Sequence, residues 1–107
     1  MLLIEEHIGQ VHQLCNKYKV QLLYVFGSIL SNQFNESSDI DMVVEFLDMP
    51  PLDYLDNYFN LKFALEDLFQ RDVDLLEANA LSNPYFIEEL EKNRKLVYDY
   101  RDFELVA

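Results

Sequence analysis

The sequence predicts a small α/β domain, a three-stranded sheet covered by helices. Short runs rich in β-branched and aromatic residues alternate along the chain with stretches of helical periodicity, and the connections between them are short. Half of the 107 residues are hydrophobic and 14% are aromatic, which favours a packed interior over disorder. A chain of this length has room for one core, so we expect a single domain over residues 1–107.

The first half of the chain predicts a helix, a strand, a loop and a second strand. The helix covers roughly residues 3–18, where apolar residues recur at helical spacing: Ile4, Ile8, Val11, Cys15 and Tyr18. Residues 20–26 form an apolar run that stops at Gly27 and predicts a buried strand. Residues 29–38 are mostly polar and predict a short helical turn followed by a loop. Residues 39–46 predict the second strand, whose direction relative to the first stays open because the connection is only ten residues long.

The second half predicts a long helix, a third strand and a further helix. The long helix starts at Pro51 and runs to about residue 70, and its apolar residues include Leu52, Leu55, Phe59, Phe63 and Leu68. Residues 72–76 predict the third strand. Asn83 before Pro84 predicts a capped helix start, and the helix should carry Phe86, Ile87 and Leu90 inward. The tail from Lys95 is too apolar for a free charged tail, so we expect it to pack on the domain or to meet a partner.

The charge excludes some classes of function. Twenty acidic residues against eight basic ones give a formal net charge of -12 at pH 7. Such a chain is not expected to grip nucleic acid or anionic membranes by bulk attraction, whereas a carboxylate metal site or a basic protein partner suits it. No apolar run is long enough to span a bilayer, the N-terminus does not look like a signal peptide, and Cys15 is the only cysteine. We therefore expect a cytoplasmic location.

Three aspartates are candidates for catalysis and metal binding. Asp39 and Asp41 lie two residues apart in a predicted strand, so their carboxylates project from one face. Two such carboxylates repel each other, and a divalent cation normally reconciles them; oxygen ligands favour Mg²⁺ or Mn²⁺. Asp74, in the middle of the third strand, could hold a second ion or act as a general base, whereas Asp72 is interpreted as an exposed strand end.

The turn at Gly27-Ser28 is the candidate nucleotide-binding element. Glycine lets backbone N–H groups approach an anion closely, and the serine hydroxyl can donate to a phosphate oxygen. Gly27-Ser28, ten intervening residues and then Asp39-Ile40-Asp41 together resemble the signature of the DNA polymerase beta-like nucleotidyltransferase superfamily. The flanking residues, Val25-Phe26 before the turn and Met42 to Phe46 after the aspartates, resemble its minimal nucleotidyltransferase (MNT) branch.

The resemblance implies a polymerase beta-like nucleotidyltransferase fold, in which helices pack on a small mixed sheet of three to four strands, and it implies a specific chemistry. Members transfer a nucleoside monophosphate, here expected to be AMP from ATP, to an acceptor hydroxyl. Gly27 and Ser28 would then hold the nucleotide phosphates, while Asp39, Asp41 and Asp74 would bind Mg²⁺ and form the catalytic triad. Stand-alone MNT proteins are commonly antitoxins paired with a HEPN ribonuclease toxin, and some silence the toxin by attaching AMP to one of its tyrosines.

One departure from the family pattern leaves a second interpretation open. Many relatives continue after the glycine and serine with an Arg-Ala-Arg-Gly-like stretch, whereas this chain has Ile29-Leu30-Ser31-Asn32. The bases that could reach the site in the folded chain are Lys62 and Arg71. The alternative is therefore a catalytically degenerate antitoxin that neutralises a basic partner by docking. An aminoglycoside adenylyltransferase is less favoured because the chain has no room for a second, acceptor-binding domain.

Overall fold

A computed structural model of the chain describes residues 2–104, and of Glu104 only the backbone. The helices are α1 (Leu2–Glu6), α2 (Ile8–Lys17), α3 (Pro51–Phe69), α4 (Pro84–Asn93) and α5 (Tyr100–Glu104). The strands are β1 (Val20–Phe26), β2 (Ile40–Phe46), β3 (Val73–Glu77) and β4 (Lys95–Asp99). Single turns of 3-10 helix follow β1 and β3, at Gly27–Leu30 and Ala78–Ala80. Residues 105–107, the end of the apolar tail, lie outside the described residues.

The strands form one mixed sheet in the order β3-β2-β1-β4. β1 is antiparallel to both β2 and β4, and β2 is parallel to β3. The antiparallel pairing of β1 with β2 settles the direction that the ten-residue connection left open. It also places the end of β1 at the same edge of the sheet as the starts of β2, β3 and β4, because Phe26 lies opposite Asp41, Asp41 opposite Asp74, and Val25 opposite Lys95. The mixed α/β fold is thus as predicted, with a fourth strand formed by part of the apolar tail.

The main core lies between one face of the sheet and the helices α1, α2 and α3. The predicted stripe of the first helix is confirmed, since Ile4, Val11 and Cys15 are almost fully buried. In α3, by contrast, the buried residues are Leu61, Leu65 and Phe69. Four of the five apolar residues that the sequence singles out in α3 are exposed, with exposed fractions of 78%, 51%, 48% and 59% for Leu52, Leu55, Phe59 and Phe63.

The predicted first helix is interrupted at His7. The His7 N–H bonds to the carbonyl of Ile4 rather than of Leu3, and the His7 ring donates from Nδ1 to the Leu3 carbonyl at 3.0 Å. The side chain thereby satisfies the acceptor that the backbone leaves unpaired, which stabilises the break between α1 and α2. His12 is half-buried, and its Nε2 lies 2.9 Å from the carbonyl of Val97 on β4.

The last helix and strand pack less deeply than the first elements. Asn83 caps α4 as predicted, since its side-chain oxygen accepts from the N–H groups of Tyr85 and Phe86. Leu90 is buried as predicted, whereas Phe86, also predicted to face inward, is only partly covered and stays 39% exposed. The Phe86 ring instead contacts the ring of Phe26 edge-on, at 6.2 Å between centroids. No helix within residues 2–104 is both long and apolar enough to cross a membrane.

Candidate active site

Two strand starts bring the three predicted aspartates to one edge of the sheet. Asp41 is the second residue of β2, and its Cα lies opposite that of Asp74 in the parallel pairing with β3. Directly opposite residues project from the same face of a sheet, and Asp39, two residues before Asp41, is directed to that face by strand alternation. Asp39 and Asp74 are exposed, whereas Asp41 is half-buried. Because β3 is an edge strand, Asp74 is open to solvent and not enclosed within the sheet.

The electrostatics of Asp41 show that the carboxylates influence one another. The pKa of Asp41 is raised above its ordinary value, first by partial burial and then by the negative charges of Asp74 and Asp39. A carboxylate with two negative neighbours is destabilised in its charged form, and a bound cation would relieve that cost. The edge is therefore a region of concentrated negative charge that favours a cation.

The carboxylate oxygens of the three aspartates suit a hard divalent ion, although these side chains are not gathered around one point. All three side chains offer carboxylate oxygens, which select Mg²⁺ or Mn²⁺ over softer metals. Within residues 2–104, no three side chains of His, Cys, Asp or Glu are gathered closely enough to form a ready-made cation site. Mg²⁺ usually binds through one or two carboxylates together with water and substrate phosphates. Coordination at this edge would therefore draw on Asp41 first, with rotation of the exposed Asp39 and Asp74 side chains and with oxygens from the nucleotide.

Gly27 joins the carboxylate edge to the turn after β1. Its φ is +75°, in the left-handed region that favours glycine, and a Cβ placed there would lie 2.5 Å from Oδ2 of Asp41. The backbone of the turn thus contacts the side chain of Asp41, and only glycine permits this approach. Ser28 follows in a 3-10 turn of four residues, Gly27–Leu30, which is too short to act as a helix dipole. The structure therefore brings Gly27 against Asp41, and Ser28 is the next residue of the same turn.

Arg71 holds the loop that leads into Asp39. Its Nη1 donates to the carbonyls of Asn35 and Ser38, at 3.0 and 2.9 Å, and its guanidinium lies 4.7 Å from the ring centroid of Phe34. These contacts fix the chain one residue before Asp39. Arg71 was expected from sequence to reach the nucleotide site, but its guanidinium is engaged by this loop.

Lys62, the other basic candidate, is also engaged elsewhere. Its Nζ lies 3.4 Å from Oε2 of Glu66 on the same face of α3. Oε2 of Glu66 in turn accepts from the N–H of Val73 at 3.0 Å, immediately before Asp74 in the chain. The pKa of Glu66 is lowered, first by this backbone hydrogen bond, and Lys62 lowers it further against the opposing effect of burial. Lys62 thus supports the start of β3, and neither predicted base supplies charge to the turn at Gly27.

The bases that the sequence interpretation missed come from the end of α4 and the start of β4. A cavity of about 640 Å³ adjoins Gly27, and Lys92 and Lys95 are among its lining residues. Lys95 begins β4, opposite Val25 near the end of β1. A sequence signal existed, because three of the eight basic residues fall within residues 92–95 of a strongly acidic chain. Their position next to the turn could not be read without the pairing of β4 with β1.

Comparisons with known proteins agree with this geometry. The family described as "Polymerase beta, Nucleotidyltransferase" matches residues 9–103. Two Methanocaldococcus jannaschii proteins, each named "Putative protein adenylyltransferase", are similar in sequence. One is 43% identical over 82 residues, covering 77% of this chain and 79% of that protein. The other is 35% identical over 86 residues, covering 80% and 83%.

Solved structures share the fold. One described as "Structure of putative minimal nucleotidyltransferase" has a TM-score of 0.72 at 27% identity, covering 86% of this chain and 90% of that one. A chain of a toxin-antitoxin crystallised with AMP-PNP has a TM-score of 0.67 at 24% identity, covering 92% and 78%. A chain from a complex of tri-AMPylated Shewanella oneidensis HEPN toxin with MNT antitoxin has a TM-score of 0.63 at 20% identity, covering 95% and 77%.

The fold and the match over residues 9–103 define the class of protein: this chain belongs to the polymerase beta-like nucleotidyltransferase family. It is thus an enzyme-family member whose kind of reaction is nucleotidyl transfer, and its sequence relatives are named for protein adenylylation. The family and the fold inferred from Gly27-Ser28 and the aspartates are confirmed.

Proposed function

We propose that this protein is a Mg²⁺-dependent adenylyltransferase that attaches AMP from ATP to a hydroxyl group of a basic HEPN-type protein partner, and that it acts as the antitoxin of that partner. The observation that carries the proposal is the contact between Gly27 and Asp41 at the edge where Asp39 and Asp74 also lie. The relatives named as protein adenylyltransferases and the toxin-antitoxin neighbours support the acceptor class.

The proposed reaction gives each residue of the site a task. The acceptor oxygen forms a bond to the α-phosphorus of ATP, the bond from that phosphorus to the β-bridging oxygen breaks, and pyrophosphate leaves. The backbone of Gly27 and the hydroxyl of Ser28 hold the triphosphate. Mg²⁺ or Mn²⁺ bound by Asp39, Asp41 and Asp74 would neutralise charge on the triphosphate and on the leaving pyrophosphate. Asp74, exposed on the edge strand, can also accept the hydroxyl proton from an acceptor that approaches from solvent.

Transfer of a label tests the proposal directly. The protein is incubated with Mg²⁺, with ATP labelled in its α-phosphate and with a purified basic HEPN-type protein, the proposed partner. We expect label on the partner, and we expect Asp39→Asn to abolish it. Asp72→Asn is the matched control, since Asp72 is an exposed aspartate just before β3 that the proposal does not use. If the wild-type protein neutralises the partner and transfers no label at any Mg²⁺ concentration, the enzymatic proposal is wrong.

An exposed apolar stripe on α3 favours a second candidate function, neutralisation of the partner by docking alone. Leu52, Leu55, Phe59 and Phe63 recur at helical spacing, and we call them the α3 stripe; the rings of Phe59 and Phe63 stack at 6.1 Å. A contiguous apolar face on a small domain marks an interaction surface. The exposed acids Asp53 and Asp56 lie on the same helix, and the chain carries a net charge of -12, so a second copy would be repelled and a basic partner attracted.

Variants of the α3 stripe separate docking from catalysis. Phe63→Ala removes a side chain that is 59% exposed, so we expect an unchanged fold and a loss of partner affinity of about tenfold or more. Leu2→Ala, at 68% exposure on α1, is the control and should leave affinity unchanged. Docking alone is supported if Asp39→Asn neutralises the partner as well as the wild type does and Phe63→Ala does not. Undiminished affinity of Phe63→Ala for the partner would contradict the assignment of the α3 stripe as the docking surface.

A further inference from the structure

The cavity beside Gly27 lies between three elements that meet at one end of the sheet. Its walls come from the end of β1 and the turn after it, from the outer part of α4 and from the start of β4. Its volume of about 640 Å³ is in the range of small-molecule sites. Gly27 lines the cavity and also lies against the carboxylate of Asp41, so the cavity adjoins the candidate active site at this one residue.

One side of the cavity is basic in an otherwise acidic chain. Lys92 and Lys95 both line it. Lys92 pairs with Glu88 at 3.2 Å, but both side chains are more than 60% exposed, so the pair is weak and can exchange for an anion. Arg94, between the two lysines, lies over the ring of Tyr24 at 4.0 Å and is engaged there. The two lysines are therefore available to a ligand, and the ligand they fit is an anion.

Strand pairing places Lys95 within reach of the turn at Gly27. Lys95 lies opposite Val25 on the neighbouring strand, and Gly27 is two residues beyond Val25. With strands about 5 Å apart and about 3.3 Å between residues, the two Cα atoms are on the order of 8 Å apart. An extended lysine side chain covers most of that distance, and Lys95 and Gly27 both line the cavity, so an anion bound in the cavity can contact both residues. This supplies the charge that Ile29 to Asn32 lacks.

The other side of the cavity is apolar. It is formed by Phe26, Leu30, Phe86 and Leu90, and the ring of Phe86 is 39% exposed. An accessible aromatic ring next to a phosphate site is a platform on which any nucleic acid base can stack. Glu89 also lines the cavity and opposes the binding of an anion. The combination of lysines, an open ring and the Gly27 turn fits a ligand with a polyphosphate at one end and a flat apolar group at the other.

We propose that this cavity is the nucleotide subsite, in which Lys95 and Lys92 bind the triphosphate and Phe86 packs against the base. The proposal rests on the proposed nucleotidyltransferase function and adds to it the source of positive charge and the wall that contacts the base. It explains how the chain dispenses with the basic residues that many relatives carry directly after the glycine and serine.

Equilibrium binding of the ATP analogue AMP-PNP, in the presence of Mg²⁺, tests the proposal by separating the two ends of the ligand. Lys95→Gln and Lys92→Gln should each weaken AMP-PNP binding about tenfold. Each should also weaken, by the same factor, the binding of inorganic tripolyphosphate, measured by its competition with AMP-PNP. Phe86→Ala should weaken AMP-PNP binding roughly tenfold and leave tripolyphosphate competition unchanged. Glu89→Gln should tighten both. The matched controls are Lys17→Gln, an exposed lysine on α2, and Tyr85→Ala, a ring that is 83% exposed on α4.

The outcomes distinguish this proposal from the function on which it rests. Suppose that the wild-type protein binds AMP-PNP, that Asp39→Asn abolishes transfer, and that Lys95→Gln and Phe86→Ala bind AMP-PNP as well as the wild type does. The proposed subsite is then wrong and the enzymatic function stands. If the wild type binds no nucleotide at all, both are wrong. Phe86→Leu, which keeps an apolar wall without a ring, excludes a folding defect as the cause: it should bind tripolyphosphate normally and AMP-PNP weakly.

Discussion

The two halves of the candidate site differ in how the chain assembles them. The acidic half, Asp39, Asp41 and Asp74 with Gly27, is built at the starts of β2 and β3 and the end of β1. Its central contact, between Gly27 and Asp41, joins residues only fourteen positions apart in the sequence. The basic half, Lys92 and Lys95, comes to the same place from the far end of the chain through the pairing of β4 with β1.

This comparison shows that a short motif, the Gly27-Ser28 turn with Asp39 and Asp41, can define the position of the reaction. It does not define which basic residues neutralise the negative charge of the substrate phosphates. Local spacing fixes the carboxylates because strand alternation and one tight turn are sufficient. The lysines are not at a fixed spacing from the Gly27-Ser28 turn. Basic residues at other sequence positions could do the same work if the strand that carries them pairs with β1 at this edge. The loss of bases at Ile29 to Asn32 therefore does not by itself imply loss of activity.

The largest expected effect comes from the acidic half. Asp41→Asn removes a carboxylate that the proposed cation needs, and the loss of several kcal/mol of charge stabilisation lowers transfer by about 10³-fold or more. The same substitution should raise the thermal midpoint, because it removes a charge that partial burial and the neighbouring charges of Asp74 and Asp39 destabilise. Label transfer and thermal unfolding measure the two effects on one preparation.

The opposite signs make this substitution informative. Substitution of a residue that stabilises the fold lowers the stability of the protein. Substitution of a functional residue that lies close to like charges should raise that stability. Asp72→Asn is the control, since Asp72 is an exposed aspartate at the same edge that the proposed site does not use. A drop in the thermal midpoint of Asp41→Asn would show that Asp41 stabilises the fold and would contradict its assignment as a residue kept for function at a cost in stability.

The next effect is at the contact that joins the halves. Gly27→Ala places a side chain at φ +75° and directs its Cβ into the carboxylate of Asp41. The strain should cost about 1–2 kcal/mol of stability, and displacement of Asp41 should lower transfer by roughly 10²-fold. Gly9→Ala is the matched control: nothing lies within 4 Å of a Cβ there, and alanine in a helix should stabilise the protein slightly. Equal activity of both variants would show that Gly27 does not position Asp41.

The elements with strong local periodicity could be predicted from the sequence. The stripe of Ile4, Val11 and Cys15, the alternation in β2 and the capping of α4 by Asn83 were all readable, since each depends on near neighbours. The break at His7 could not be read, because it depends on a hydrogen bond from one ring to the carbonyl of Leu3. The exposure of one face of α3 could not be predicted from the sequence either, since Phe59 and Phe63 are as apolar as the residues of α3 that are buried.

The site divides in the same way. The positions of Gly27, Asp39 and Asp41 followed from spacing, and Asp74 followed from its place in a short strand. Lys62 and Arg71, the bases that the sequence left as candidates, have partners along α3 and in the loop before Asp39. Which lysines approach Gly27 depends on strand order, and strand order is set by contacts between distant segments.

The smallest effect concerns the support of the acidic half by Glu66. Its carboxylate accepts from the N–H of Val73 next to Asp74, and this bond, with help from Lys62, lowers its pKa. A lowered folded-state pKa contributes stability that is fully present above the unfolded pKa and is lost as pH falls through the folded value. Glu66→Gln keeps an acceptor oxygen without the charge, so its thermal midpoint should be about 2–4 °C below wild type at pH 7. The gap should close as the pH of the unfolding measurements falls below about 4.3, whereas Glu91→Gln, an exposed control, should show no gap at any pH. A gap that persists unchanged in acid would mean that packing, and not the charged bond to Val73, supports the start of β3.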